Sequence, residues 1–392
     1  MRVIFINYGL FNSNSGGHVA HFANSLSTLG VETTVIGSND PSTAADFGPT
    51  SFKAIQIKNL EEDIPAEILE LASGRDVLLH AWTPRKAVQN FTRRITLKTG
   101  CPYVVHLEDH EIMLFSSALR KTLREIDGMG DADLESQTPA SLTNPRTLPA
   151  FLESSSGVTV IVDRLSELCP PDVPIHLLEP GVDTDVFRCD LTPEQVRVKR
   201  RNLYIDTDSI VIVYNGNMHS ANYKDVFSLY TAILILRRRG HDVRLIRTGE
   251  DYFTDIDLSY QALNGDWVIN LGKLDRSEMI DVLKLADMYV QPGEPDDFNA
   301  FRLPSKVPEF LSLGKPVLLP ASNIGLRLID GRDAILLSRG NGEEIADRVE
   351  WLLSSPQIAA EIGAAGRAFA LQNLRWNENA KNLLHFYESV IR

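Results

Sequence analysis

Arg302, Ser305, Lys306 and Glu309 fall within one short stretch, where irregular polar sequence turns into a helix-like pattern. From Phe298 the chain crosses Pro304, sets Val307, Phe310 and Leu311 at helical spacing, and stops at Gly314. Val317-Leu318-Leu319 follows and reads as a buried strand. Ser305 is expected to cap the helix. A helix N-terminus attracts anions through its free N–H groups and its dipole, and Arg302 and Lys306 would add their charge. Glu309, one turn further in, is suited to accept hydrogen bonds from neutral hydroxyls such as those of a ribose. Phosphates with a ribose make a nucleotide. The competing reading is a surface helix capped by Ser305, with its charges in water.

A second group of chemically capable residues is Glu108-Asp109-His110-Glu111, which follows the apolar run Tyr103–Leu107. Four titratable groups at one strand end suggest more than solvation, because open α/β sheets place their sites at the C-terminal ends of strands. His80 ends an earlier apolar run, and a histidine satisfied by backbone is the plainer reading there. Near the N-terminus, Gly16-Gly17 follows a strand and precedes a helix expected over 18–29. Paired glycines there let backbone approach a phosphate or sugar, and an ordinary tight loop explains them equally well.

The elements that must hold these groups alternate. Arg2–Asn7 reads as a strand, a helix follows, and Val31–Ile36 reads as the next strand, making a βαβ unit. Further strands are expected at 76–80, 103–107, 157–162 and 174–178, then at 209–214, 243–246, 268–271 and 288–291. Residues 112–150 read as a loop-and-helix excursion. At 392 residues the chain suits two domains. The division expected is 1–187 and 188–375, with the final helix, 376–392, returning to the first domain.

Composition removes some classes of function. The net charge is −13, and residues 1–190 carry 25 acidic against 15 basic side chains, while 191–392 carry 27 against 24. An acidic first half opposes nucleic acid and anionic lipid headgroups. No apolar run is long enough for a membrane span. Met1–Tyr8 reads as a strand rather than a signal segment. Cys101, Cys169 and Cys189 are far apart and suggest neither a zinc site nor a disulfide framework, which fits a cytoplasmic protein.

Glu309 and Gly314-Lys315-Pro316-Val317 resemble the nucleotide-sugar motif of GT-B glycosyltransferases, in the retaining set called glycosyl transferases group 1. The resemblance runs over nearly the whole chain and is weakest over 112–155. It implies an α/β fold of two Rossmann-like, doubly wound domains facing a central cleft. It also implies transfer of a sugar from a nucleoside diphosphate sugar to an acceptor hydroxyl, with retention, without a metal or other cofactor. The acceptor would be a glycan, a lipid-linked molecule or a small molecule, in surface glycan or glycoconjugate synthesis. The setting would be cytoplasmic, or peripheral at the inner face of the membrane.

The same resemblance suggests roles. Glu309 would grip the donor ribose. Gly16 and Gly17, in a Gly-Gly-x-x-x-His21 pattern, would approach the donor. Glu108, Asp109 and His110 would orient the reacting sugars, with His106 an alternative to His110. Gly216 matches a glycine of the first loop in the second domain. Lys224, Asn217, His219 and Arg247 are candidates to hold the diphosphate beside Arg302, Ser305 and Lys306. Many members carry a second Glu eight positions before Glu309. Here that position is Phe301, within Arg302-Leu-Pro-Ser-Lys-x-x-Glu309, and Glu294, Asp297 or Asn299 could replace it. Asp183-x-Asp185 and Asp206-x-Asp208 imitate a metal motif but sit in the inter-domain connection and beyond. The alternatives are a non-catalytic nucleotide- or partner-binding GT-B protein, and a nucleotide-sugar epimerase or hydrolase.

Overall fold

The computed structural model describes residues 1–219, 222–252 and 265–391. It divides into one unit of Met1–Pro180 with Trp376–Arg392, and a second of Gly181–Arg375. The first unit thus ends earlier than 187. The reason is local: Val182 N–H bonds Leu374 O, Phe187 is buried in the second core, and Ser312 Oγ donates to Phe187 O. Residues 181–187 are therefore tied into the second unit. Within them, Asp183 Oδ1 accepts from the N–H groups of Asp185 and Val186, so it closes a turn.

The first unit is built on a seven-stranded sheet of β1 (Arg2–Asn7), β2 (Glu32–Gly37), β3 (Lys53–Gln56), β4 (Val77–Trp82), β5 (Tyr103–Leu107), β6 (Gly157–Val160) and β7 (Ile175–Leu177). The spatial order is β3-β2-β1-β4-β5-β6-β7, and the paired strands are parallel. β4 is buried along its whole length, as expected of a parallel strand covered on both faces. The order reverses between β1 and β4, and ligands in such sheets bind beyond the strand ends at that reversal.

One face is covered by the helix Asn14–Thr28 and by the last helix, Trp376–Val390. Ala380, Leu383, Phe386 and Tyr387 join Val3, Phe5, Phe22 and Leu26 in one core, where each fully buried Val, Leu or Phe contributes about 1.5–3 kcal/mol. The excursion after β5 contains helices Glu111–Leu119, Leu123–Asp127, Asp131–Gln137 and Leu148–Glu153. It is anchored next to β4, where Lys86 N–H bonds Leu142 O and Ala87 N–H bonds Ala140 O.

The second unit has a six-stranded parallel sheet of β8 (Ile210–Asn215), β9 (Val243–Thr248), β10 (Val268–Asn270), β11 (Met288–Val290), β12 (Val317–Pro320) and β13 (Ile335–Leu337). Its order is β10-β9-β8-β11-β12-β13, with the reversal between β8 and β11. Helices Tyr223–Arg238 and Gly342–Ser354 cover one face, and Arg276–Leu283 and Val307–Ser312 the other.

Candidate functional site

At the reversal of the first sheet, Glu108 follows β5 and is nearly enclosed. Trp82 Nε1–H donates to its Oε1 at 2.9 Å and His18 Nδ1–H at 3.0 Å, while Ser15 Oγ donates to Oε2. Burial alone would raise this carboxyl. The hydrogen bonds from His18 and Ser15, with the fields of His18 and His106, outweigh burial and hold it down at about 2. Glu108 is therefore a fixed anion. It cannot cycle a proton near neutrality, so it is an orienting group for His18, Ser15 and Trp82.

Arg85 follows β4 and is the cation of the cluster. Its Nη1 donates to Glu111 Oε2 at 2.7 Å, its Nη2 lies 3.8 Å from Asp109 Oδ2, and its guanidinium sits 5.2 Å over the Tyr8 ring. Glu111 is fully buried, and burial raises its carboxyl to about 7 against the opposing pull of Arg85. Thr143 bonds both Pro84 O and Glu111 Oε2. A hydroxyl has one proton, so Thr143 gives it to one of these two oxygens at a time.

Several expectations are corrected here. The helix begins at Asn14 rather than His18, with Ser13 as its cap, so Gly16 and Gly17 lie inside its first turn. Their N–H groups are spent on Ser13 Oγ and Ser13 O. A Cβ at Gly16 would stand 2.2 Å from Phe11 O, and one at Gly17 2.7 Å from the Phe47 ring. These glycines permit close packing, and they present no N–H to a phosphate. His21 stacks on Trp376 at 4.4 Å, and His18 is the histidine that reaches the cluster. His110 caps the helix Glu111–Leu119, accepting from Met113 N–H at 3.2 Å, and burial lowers its pKa. His80 is satisfied by Tyr387 Oη and Thr159 Oγ1 rather than by backbone, and His106 shares that Thr159 hydroxyl. His106 is fully buried, stacked on Trp82 at 3.8 Å and pushed by burial to about 3. It is a neutral packing residue. Asp109, half-buried, is the cluster acid with the most exposure.

The second sheet gathers a different set. Helix Val307–Ser312 starts one residue later than a Ser305 cap requires; Lys306 occupies the cap position, with no side-chain cap bond. Val307 N–H bonds Pro304 O, so Ser305 sits within a turn ahead of the helix. Pro308 in the first turn is compatible with this start because it lacks only an N–H that would have no helical partner. At six residues the helix has a weak dipole, and the charge for an anion must come from side chains. Glu309 occupies the first turn and is mostly buried. Arg302 lies 4.7 Å over the Phe298 ring. His219 is lowered first by burial and then by the field of Arg302, which brings the loop after β8 beside the loop before the helix. Lys306 makes no ion pair among the described residues.

Gly216 and Gly249 allow the loops after β8 and β9 to run together. Gly249 has a positive φ of 108°, and a Cβ there would stand 2.5 Å from Gly216 O. Asn217 Oδ1 accepts from Glu250 N–H at 2.9 Å, so this side chain ties the two loops. Arg247 is fully buried and its charge is met by Asp251 in a two-pronged ion pair, so it is not presented to a ligand. Lys224 is exposed at the start of helix Tyr223–Arg238.

Phe301 is buried, which explains an apolar residue at that position. Asn299 donates to Glu294 O at 3.0 Å, so it stiffens the loop after β11. Glu294 and Asp297 are exposed on that loop. Asp225 was not legible as a site residue. Burial first, then Asp296 and Glu294, raise its carboxyl to about 6. Among residues reasoning from sequence passed over, His18, Ser15 and Arg85 had local signals in Gly-Gly-His and in the Trp-Thr-Pro-Arg strand end; Asp225 had none.

Residues 209–355 match the family model described as glycosyl transferases group 1. A D-inositol 3-phosphate glycosyltransferase of Saccharomonospora viridis is 24% identical over 246 residues, 59% of this chain and 54% of that protein. A GDP-mannose-dependent alpha-(1-6)-phosphatidylinositol monomannoside mannosyltransferase of Mycolicibacterium smegmatis is 26% identical over 227 residues, covering 56% and 58%. The chain thus spans a little over half the length of the curated relatives it matches. Among solved structures, HepE of Anabaena in complex with UDP and glucose aligns over 99% of this chain and 100% of its own, with TM-score 0.73 and 14% identity. A glycosyltransferase of Rickettsia africae aligns over 100% and 98%, also with TM-score 0.73 and 14% identity. The fold is therefore GT-B, two Rossmann-like domains with parallel sheets, and residues 209–355 carry the group 1 glycosyltransferase pattern on it.

Proposed function

We propose that the protein transfers a hexose from a nucleoside diphosphate sugar to an acceptor hydroxyl, with retention at the anomeric carbon. The observation that carries this is the grouping of Arg302, His219, Lys306 and Glu309 at the strand ends of a domain that matches the group 1 model. Arg302 and Lys306 stabilise the diphosphate as charge develops on it, His219 donates a neutral hydrogen bond, and Glu309 accepts from the ribose hydroxyls. Charge stabilisation by these side chains supplies what a metal would otherwise supply. The leaving phosphate takes the acceptor proton on the face from which the sugar departs. Relatives named for GDP-mannose and a fold neighbour bound to UDP and glucose make UDP and GDP the first bases to try. In the first domain, Asp109 and His18 contact the reacting sugar or the acceptor, oriented by Glu108 and Arg85.

A thermal-shift series with UDP, GDP and their hexose conjugates tests this, since ligands of the native state raise Tm. One nucleotide series is expected to shift the wild type and to lose most of its effect in Glu309→Ala. Release of the diphosphate that depends on an added hydroxyl acceptor would establish transfer. Absence of any nucleotide shift would end the proposal.

A further inference from the structure

We propose that the strand ends at the reversal of the first sheet bind the acceptor as a neutral polyol, a sugar ring or a cyclitol, and that His18 Nε2 receives a hydrogen bond from one of its hydroxyls. This rests on the transferase reading above and deepens it by naming the acceptor class. The residues concerned all belong to the first unit.

Hydrogen bonds fix which nitrogen of His18 is offered. An indole N–H only donates, so Glu108 Oε1 accepts from Trp82 Nε1 at 2.9 Å. Ser15 Oγ is bonded to Oε2, and the carboxyl, held down at about 2, is ionised. An ionised carboxylate only accepts, so His18 Nδ1, 3.0 Å from Oε1, is the donor. A neutral imidazole with its proton on Nδ1 carries a lone pair on Nε2. The ring packs 6.2 Å from that of Trp376, and Nε2 bonds nothing among the described residues. His106 Nε2 is unbonded too, but it is buried, whereas the His18 side chain is 14% exposed. Glu108 thus holds one nitrogen and leaves the other as an acceptor.

The surrounding groups ask for the same kind of ligand. Asp109 follows Glu108 directly and is half-buried, and a carboxylate accepts without donating. Asn7 and Trp82 are partners in register at the ends of β1 and β4, and Asn7 Oδ1 is buried with no donor among the described residues. Tyr8, next in the chain, is 37% exposed and offers an aromatic surface to the C–H face of a ring. Acceptors beside an aromatic surface suit a molecule rich in hydroxyl donors. A phosphate fits them poorly. The guanidinium of Arg85 is enclosed and its charge is met by Glu111 at 2.7 Å, so an added anion meets Glu108 and Asp109 with that cation already engaged.

The test is nitrogen NMR at mildly alkaline pH on the full chain, isotope-labelled at its histidines. The probes are methyl mannoside, myo-inositol and the monophosphates of mannose and inositol. Without ligand, wild type is expected to carry the His18 proton on Nδ1. The Nε2 resonance should move on addition of a neutral polyol, and the monophosphates should bind at least about tenfold more weakly. A sole ring proton on Nε2, an Nε2 resonance unmoved by either neutral polyol, or monophosphates bound as tightly would each overturn the proposal. His18→Phe should abolish the polyol signal in saturation-transfer spectra, and a signal that persists overturns the assignment to His18. The wild-type spectra need no variant, so they decide the matter even if His18→Phe fails to fold. Nucleotide binding is read separately from the thermal shifts. Failure here with UDP or GDP still bound removes only the acceptor assignment, whereas loss of nucleotide binding removes the transferase reading.

Discussion

The two sheets reverse strand order at one place each, and the chemistry there differs. In the first domain Glu108, Glu111 and Arg85 are met inside the domain, by His18, Ser15, Trp82 and Thr143 and by one another. In the second, Lys306 and Lys224 make no ion pair among the described residues. Buried charges answered internally hold a geometry, since moving one strands its partner in low dielectric. Charges carried on loops at a partly open strand end are free to answer a ligand. One doubly wound architecture thus serves as a frame in the first domain and as a receptor in the second.

The largest effect expected from breaking this contrast is on the first domain's stability. Glu108→Ala leaves His18 and the Trp82 N–H without their acceptor, and should destabilise by about 3–5 kcal/mol, lowering Tm by roughly 10 °C. Calorimetric unfolding would measure it, and a change below about 1 kcal/mol would show that the cage is not structural. The corresponding change in the second domain, Glu309→Ala, should cost about a hundredfold in nucleotide affinity instead.

The two buried glutamates should act oppositely with pH. Glu108 ionises at about 2 in the fold against an ordinary 4.5, so its contribution is complete above 4.5 and is lost as pH falls towards 2. Glu111 is raised to about 7 from 4.5, so stability is full below 4.5 and declines as pH rises to 7, by roughly 3 kcal/mol. Glu111→Gln should flatten the curve between those values, as denaturant titrations across pH would record. An unchanged slope would mean that Arg85 keeps Glu111 ionised throughout.

Gly16→Ala sharpens the comparison further. With Phe11 O 2.2 Å from the added carbon, it should cost about 1–3 kcal/mol of stability and leave nucleotide affinity unchanged. A selective loss of affinity would return that turn to the binding site. The smallest effect is expected for Lys224→Ala, less than about fivefold in nucleotide affinity, because the side chain is exposed and screened.

Alternating strands and helices, the strand-end clusters and the motif around Glu309 were legible because they are local patterns of spacing. The role of the glycine pair was not. Whether Gly16-Gly17 approaches a phosphate or admits the Phe11 carbonyl and the Phe47 ring depends on residues packed from elsewhere in the fold. Burial decided the histidines in the same way: His80 and His106 share Thr159 of β6, which no reading of β4 and β5 could supply.

By itself, then, the sequence determined a two-part α/β chain, the acidic charge of its first half and the residues around Glu309, because periodicity and composition are properties of the chain alone. The tertiary structure decided where each charge is housed. Arg247 and Arg302 are the same residue type, yet Arg247 is fully buried against Asp251 while Arg302 stands at the strand ends beside His219. Pairing and desolvation depend on distance through space, which spacing along the chain does not encode.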